Sequence, residues 1–427
     1  MRKLALLGLY SSLVLSACKW TEFDDLSNEA PAHSTTKPDV KSSDWGVAVA
    51  SAQSAGDGAN VLVIGTDPPT FSTIVHDTDG NTHLGQNAID LNIEFAISSI
   101  PDPPFLLDDP TSDSVALVVP TLDGRILVEG GPANMPTQLG VIGADPQPLA
   151  ATYIGMTTKA SPIFVVGKGS TTSSTTSGNL HNLDVATNTQ ASCTINDENV
   201  SVTALTPVAM ASAPAVNAPN GLVVVWKADG KLIAYDQAAL LDPTTGCIGN
   251  QNTMLPITPP GWAANAIDTG FVPVEGQIAI VGDHYALLEG HGDPAKGDKG
   301  TVLVFDLTTG TAVGTPLEAD GVRGFAVGAL GDKTYLALGF PSNEAQPSDG
   351  GASVTAGTVE VREVDPTTGL LGATIALQLS DAQPESNEKF GRAVAITNFG
   401  GMPILVVAAS NEIFSYYKTS IYDIGLK

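Results

Sequence analysis

The amino-acid sequence predicts an all-β chain wound as a seven-bladed β-propeller, and three observations carry that expectation. Runs of four to eight residues rich in Val, Ile, Thr and Ala are separated by clusters of Gly, Pro, Asn and Asp, and a helical period never establishes itself after Asp44. A short strand that ends in an acid recurs seven times. A second element, built of small residues alternating with apolar ones, repeats at the same period.

The acid-ended strand appears as Ser72–Asp77, Arg125–Glu129, Asn179–Asp184, Lys231–Asp236, Thr301–Asp306, Glu360–Asp365 and Thr419–Asp423, with a mean spacing near 58 residues between the acids. The small-residue element reads Trp45–Ala50, Pro207–Ala211, Gly324–Gly328 and Phe390–Ala395, and Gly46 and Gly391 lie 345 residues apart, six of the same periods. Between the two lies an aliphatic strand: Val61–Gly65, Ala116–Val119, Ile163–Gly167, Leu222–Val225, Tyr335–Gly339 and Ile404–Ala408. A fixed period of this length with three or four strands per unit is the signature of propeller blades. Small residues suit the innermost strands, which converge where Leu or Phe would clash. A terminal Asp suits a turn, because its side chain bonds backbone amides two residues on; Asp306-Leu-Thr-Thr-Gly310 and Asp365-Pro-Thr-Thr-Gly369 carry that turn chemistry. Only four residues follow Asp423, so the seventh blade needs an outer strand from elsewhere, and the stretch Thr35–Ser42 is the expected donor. Pairing the two ends would remove an exposed edge.

Composition narrows the function. The chain has 427 residues, of which 43% are hydrophobic and only 15% charged, with 44 Gly and 29 Pro. That apolar content argues against disorder. With 19 basic and 45 acidic side chains the net charge is -26, which repels nucleic acid phosphates and anionic headgroups, so no nucleic acid partner is expected.

Met1-Arg2-Lys3 is followed by an apolar or small run, Leu4–Ala17, of 14 residues, too short for the ~20 of a membrane span and suited to a signal peptide. The junction Leu15-Ser16-Ala17-Cys18 resembles the lipobox of bacterial lipoproteins. The resemblance implies cleavage before Cys18, lipidation of its thiol and an envelope location. In that family an Asp directly after the cysteine favours inner-membrane retention, so with Lys19 at that place the resemblance implies the outer membrane. Losing residues 1–17 removes two positive charges and no acid, so the mature charge becomes -28. Attachment then rests on lipid, at about 0.8 kcal/mol per buried methylene, two or three chains making a stable anchor. The expected organisation is a signal peptide over 1–17, a lipidated N-terminus and tether over 18–43 that also supplies the closing strand, and the propeller over 44–427. Cys193 and Cys247 follow similar local text, Gln190-Ala-Ser-Cys193 and Thr244-Thr-Gly-Cys247, and a disulfide between them is allowed in an exported chain. A bridge would contribute about 4 kcal/mol; two buried free thiols are the alternative.

The text also resembles the FG-GAP repeats of the integrin α-subunit propeller. Phe390-Gly391-Arg-Ala-Val-Ala followed by Pro403-Ile-Leu-Val-Val-Ala, and Trp45-Gly46-Val-Ala-Val-Ala followed by Val61-Leu-Val-Ile-Gly65, follow that family's order. Tyr335-Leu-Ala-Leu-Gly-Phe-Pro341 with Gly357-Thr-Val-Glu-Val361 is similar to its next segment. The likeness covers about half the chain. Many members carry calcium loops of alternating Asp, but here the corresponding positions hold at most one acid each, Asp57 and Asp332 in two of them and none in Asn398-Phe-Gly-Gly401, too few for six to eight oxygen ligands. Asp77-Thr-Asp79-Gly80 reads better as a turn. No metal and no cofactor are expected.

Catalytic text is sparse. Nucleophile-elbow, Walker and dinucleotide patterns are absent. Asp283-His284, Glu289 and His291-Gly-Asp293 gather several metal-capable side chains, yet they also fit a strand, Tyr285–Leu288, running into a polar loop, which is the favoured reading. The insertions Ser170–Ser177, His291–Gly300 and Ser342–Ala356 are the candidate contact loops. The expected role is a lipid-anchored envelope module that binds a protein or a glycan. An assembly or transport scaffold on the periplasmic side is the alternative, and a glycan-processing enzyme comes third.

Overall fold

The computed structural model describes the strands between residues 33 and 195 and the stretches 207–215, 218–236, 253–254, 266–292, 299–330, 333–347, 350–381, 383–399, 402–410 and 412–417, with side chains placed mainly at 222–235 and from 266 onward. Among the described residues every regular element is a strand, as β-branched runs cut by turn residues require.

The strands form seven sheets of four or five strands and one two-stranded hairpin among the described residues. Sheet one holds Asp44–Ser54, Gly58–Thr66, Thr70–His76 and Thr82–Leu84, with Ile89–Asp90 beside the third strand. Sheet two runs Phe105–Asp108, Val115–Pro120, Arg125–Glu129 and Thr137–Val141. Sheet three runs Leu149–Met156, Pro162–Lys168, Asn179–Asp184 and Thr189–Ile195, with Thr253–Met254 added in parallel. Sheet four runs Pro207–Ala215, Ala218–Lys227, Lys231–Asp236 and Ala266–Asp268. Sheet five has Glu275–Val281, Tyr285–His291, Thr301–Asp306 and Thr311–Ala312, with Leu317–Glu318 on the third strand. Sheet six has Gly324–Leu330, Lys333–Phe340, Thr358–Val364 and Leu377–Leu379. Sheet seven has Ala393–Phe399, Met402–Ala408 and Glu412–Tyr417. Its fourth strand is His33–Thr36, paired antiparallel with the chain's last described strand, Thr35 opposite Ile413.

Successive sheets touch through their first strands. Asp44–Ser54 neighbours Phe105–Asp108, sheet two meets the first strand of sheet three, and the contacts continue through Pro207–Ala215, Glu275–Val281, Gly324–Leu330 and Ala393–Phe399, which returns to Asp44–Ser54. Small residues are needed in these seams. A Cβ on Gly324 would stand 2.7 Å from the Gly391 carbonyl, and one on Gly328 2.6 Å from Ile396 Cγ2.

Sheets five and six are buried on both faces, which explains their near-continuous apolar runs. In Lys333–Phe340, Tyr335 and Ala337 face the cluster shared with sheet seven, whereas Leu336, Leu338 and Phe340 face the one shared with sheet five. In Tyr285–His291, Leu287 joins the second of these and Ala286 and Leu288 join the cluster around Trp226 of sheet four.

Three details differ from the sequence reading. The third strand of sheet seven is Glu412–Tyr417, which bonds directly to Met402–Ala408; Thr419–Asp423 lies outside the described residues. The added outer strand overlaps the expected Thr35–Ser42 only at Thr35 and Thr36. The segment Ser342–Ala356 is not plain loop, because Glu344–Ala345 pairs with Val354–Thr355 and Ala345 and Ala356 are buried. Cys18 and Cys247 lie outside the described residues, and Cys193 sits opposite Leu180 in sheet three.

Candidate binding face

Antiparallel order sets which loops share an end. In sheet six the start of Gly324–Leu330, the end of Lys333–Phe340, the start of Thr358–Val364 and the end of Leu377–Leu379 come together, since Gly324 pairs with Gly339, Phe340 with Thr358 and Val359 with Leu379. Sheet seven points the same way, with Gly324 against Gly391 and Gly328 against Ile396. Sheet five does too, because Gln277 donates to the Arg323 carbonyl and Arg323 Nη1 meets Glu275 Oε2 at 3.3 Å. His291 and Gly300, the hairpin strands Glu344–Ala345 and Val354–Thr355, and residues 383–392 therefore lie at one end.

The opposite end is turn chemistry. Asp306 Oδ1 accepts the Thr308 amide at 2.8 Å and the Thr308 hydroxyl at 2.6 Å, and Asp365 accepts the Thr367 amide at 2.8 Å and the Thr368 hydroxyl at 2.8 Å. Burial works to raise Asp306, but these bonds outweigh it and hold its carboxyl below the usual range. Asp365 is lowered chiefly by the Thr367 amide. Both acids thus have the turn role that the Asp-x-Thr-Thr-Gly text implies. Tyr285 stitches the same end, donating to the Thr367 carbonyl at 2.9 Å.

The suspected metal group is divided by this geometry. Asp283 and His284 lie in the tight turn before Tyr285–His291, while Glu289 and His291 lie at its far end. At ~3.3 Å per residue the two histidines are about 23 Å apart along the strand. His284 Nε2 instead stands 3.9 Å from Asp306 Oδ1. Asp293 lies outside the described residues. Among the described residues no group of three or more His, Cys, Asp or Glu is placed to hold a metal ion.

At the loop-bearing end, Glu289 is 2% exposed and faces sheet six. His291 Nε2 sits between Glu289 Oε1, 2.8 Å away, and the Val322 carbonyl, 2.9 Å away. Glu289 raises the imidazole above its ordinary value, first by hydrogen bonding, and this outweighs the opposing effect of burial. Beyond the seam, Val272 and Val274 stand well exposed and the Val274 amide donates to the His291 carbonyl at 2.8 Å. In the next seam the hairpin is fastened at its neck, the Ala356 and Gly357 amides both donating to the Asn343 carbonyl. Glu388, at the seam of sheets six and seven, is a buried acid that the sequence reading did not single out. The rim exposes Val272 and Val274 beside the Arg323–Glu275 ion pair, with Glu289 and Glu388 buried beneath it. Of the predicted contact loops, residues 170–177 lie outside the described residues.

No family model matches the chain, and no curated protein matches it in sequence. Solved structures do resemble it. The crystal structure of BBS1N in complex with ARL6DN, soaked with lead, has a TM-score of 0.52 at 13% identity, over 92% of this chain and 97% of that chain. The crystal structure of the mitotic checkpoint complex has a TM-score of 0.48 at 12% identity, over 92% of this chain and 96% of that chain. At such identities a likeness shows fold alone, and the first of the two supports the conclusion that this all-β chain has a propeller-like fold.

Proposed function

We propose that the chain is a lipid-anchored cell-envelope protein whose seven sheets are the blades of one closed ring, and that it works as a binding module through the loop-bearing rim. The ring reading is supported by the cyclic order of first-strand contacts, Ala393–Phe399 returning to Asp44–Ser54. The strand His33–Thr36 would fasten the ring's two ends, as the outer strand of sheet seven. The anchor reading rests on Leu15-Ser-Ala-Cys18, with 18–43 as tether and 44–427 as the propeller body. A protein partner is favoured over a glycan, because a structural neighbour was crystallised in complex with a second protein. The FG-GAP likeness, carried by Phe390-Gly391 and Trp45-Gly46, is the family reading that fits this body.

The test is affinity capture from envelope extracts with the full lipidated chain beside a variant in which a short turn replaces 344–355. A partner held by the wild type and lost by a folded variant supports the rim. The same partners on both would remove it. Palmitate incorporation that persists after Cys18→Ser would overturn the anchor, and protease treatment of intact cells separates surface display from a periplasmic scaffold.

A further inference from the structure

Six Asp-Gly pairs occur in the sequence, and both members of two of them are described, Asp229-Gly230 and Asp320-Gly321. Asp before Gly is the pair in which a backbone amide most easily reaches the preceding carboxyl, because glycine carries no Cβ to obstruct the approach. These two also share their local text, each reading Ala-Asp-Gly, so their chemistry as bare chain is the same. Both glycines have left-handed backbone, φ 84° at Gly230 and φ 80° at Gly321, and both pairs lie in turns at the loop-bearing end. Their surroundings differ.

Asp229-Gly230 is held at both reacting groups. The Gly230 amide donates to the Lys227 carbonyl at 2.8 Å, and Asp229 Oδ1 accepts the Lys231 amide at 3.2 Å. The Gly230 carbonyl accepts the Thr269 amide at 3.0 Å and the Thr269 hydroxyl at 2.6 Å, and a Cβ on Gly230 would run into the Phe271 carbonyl. Asp320-Gly321, in contrast, is open. It forms the two central residues of the crossover from sheet five to sheet six, a turn closed by the Val322 amide donating to the Ala319 carbonyl at 3.2 Å. That bond leaves the Gly321 amide outside the turn's hydrogen bonding. Asp320 and Gly321 are exposed and a Cβ on Gly321 would meet nothing within 4 Å, so rotation about the Asp320 Cα–C bond is unobstructed. The flanking Ala319 and Val322 are fully buried.

We propose that Asp320 is a site of spontaneous isomerisation to isoaspartate, a modification from which Asp229 is protected by its hydrogen bonds. The Gly321 nitrogen bonds to Cγ of Asp320 in its acid form, the Cγ–OH bond breaks, and the amide proton leaves with that hydroxyl as one water. The cyclic imide then takes up one water. Breaking its N–Cγ bond restores Asp, whereas breaking its bond to the backbone carbonyl carbon leaves the chain running through the side chain, with the mass unchanged. The isomerised backbone is one methylene longer between two buried anchors. Val322 carries the carbonyl that His291 Nε2 meets at 2.9 Å, so the longer turn loosens the seam of sheets five and six. The proposal does not depend on the anchor or on any partner.

The full chain, held for weeks at neutral pH, is labelled with isoaspartyl methyltransferase and mapped by peptide mass spectrometry. Because two bonds must break at Asp229 before attack, isoaspartate should accumulate at 320 at least about tenfold faster than at 229 in the folded chain. In urea, where neither turn exists, the two rates should match. Folded rates at the two sites that match as well, or a folded rate at 320 far below its own rate in urea, overturn the site. Aged wild type should unfold at lower urea than its fresh sample, and aged Asp320→Ser should not. No loss in the wild type, or a loss shared by the variant, overturns the link to the seam.

Discussion

His291 Nε2 lies 2.8 Å from Glu289 Oε1 in the seam between sheets five and six, an imidazole set against an almost fully buried carboxyl. Breaking such a pair leaves one charge buried alone. His291 should titrate above 6.5, and Glu289→Gln should bring it down, because burial and Arg323 both lower it once the carboxylate is gone. A raised histidine contributes stability that is complete below the unfolded value of 6.5 and lost as pH climbs through the folded one. His291→Ala should therefore cost about 3 kcal/mol in urea unfolding at pH 6 and less at pH 8. An NMR titration giving the same imidazole value in wild type and Glu289→Gln would refute the assignment.

Gly339 and Gly391 meet backbone to backbone, and a Cβ on Gly339 would run into the Gly391 carbonyl. Gly391 itself has φ 84° and a Cβ there would lie 2.8 Å from the Thr358 carbonyl. Gly339→Ala is expected to cost about 3 kcal/mol by overpacking. Gly350→Ala, at φ 80° with nothing within 4 Å, carries only the backbone penalty of about 1 kcal/mol. Thermal unfolding of the two variants side by side separates close approach from backbone strain; equal losses would show that the seam is not tight.

Deleting residues 33–36 strips the outer strand from sheet seven and bares the edge of Glu412–Tyr417. Exposed edges recruit other strands. The variant should melt earlier than the full chain and self-associate on size-exclusion chromatography. A monomer with an unchanged melting temperature would mean that the pairing of the two chain ends adds nothing to the fold.

Much of the strand order was legible because it is a local signal. Val61–Gly65, Ile163–Gly167 and Ile404–Ala408 are aliphatic runs bounded by turn residues, and each became the second strand of its sheet. Of the first strands of sheets two, three and five, Phe105–Asp108 has no small residue, and Leu149–Met156 and Glu275–Val281 carry Ala and Gly in a less regular alternation than the repeat text shows elsewhere. Their place is set by neighbouring sheets, not by their own composition. Glu412–Tyr417 lacks the terminal acid for the same kind of reason: it takes the third position because it pairs with Met402–Ala408, whatever follows it.

The rim was less legible still. The text around His291 predicts a strand over Tyr285–Leu288 between the two histidines, and the structure carries that strand on to His291; the pairing of Glu289 with His291 across one end of it was not legible, because it depends on how the neighbouring sheet packs. Nothing in Asn387-Glu388-Lys389 distinguishes it from a surface turn. Period, polarity and turn residues travel with the chain, so they announced an all-β body of repeated units wherever they occurred. Burial of a particular acid does not travel with it: Glu388 is enclosed because Phe390 is driven into the seam and Tyr416 closes over from another strand, and those contacts exist only once the sheets have packed.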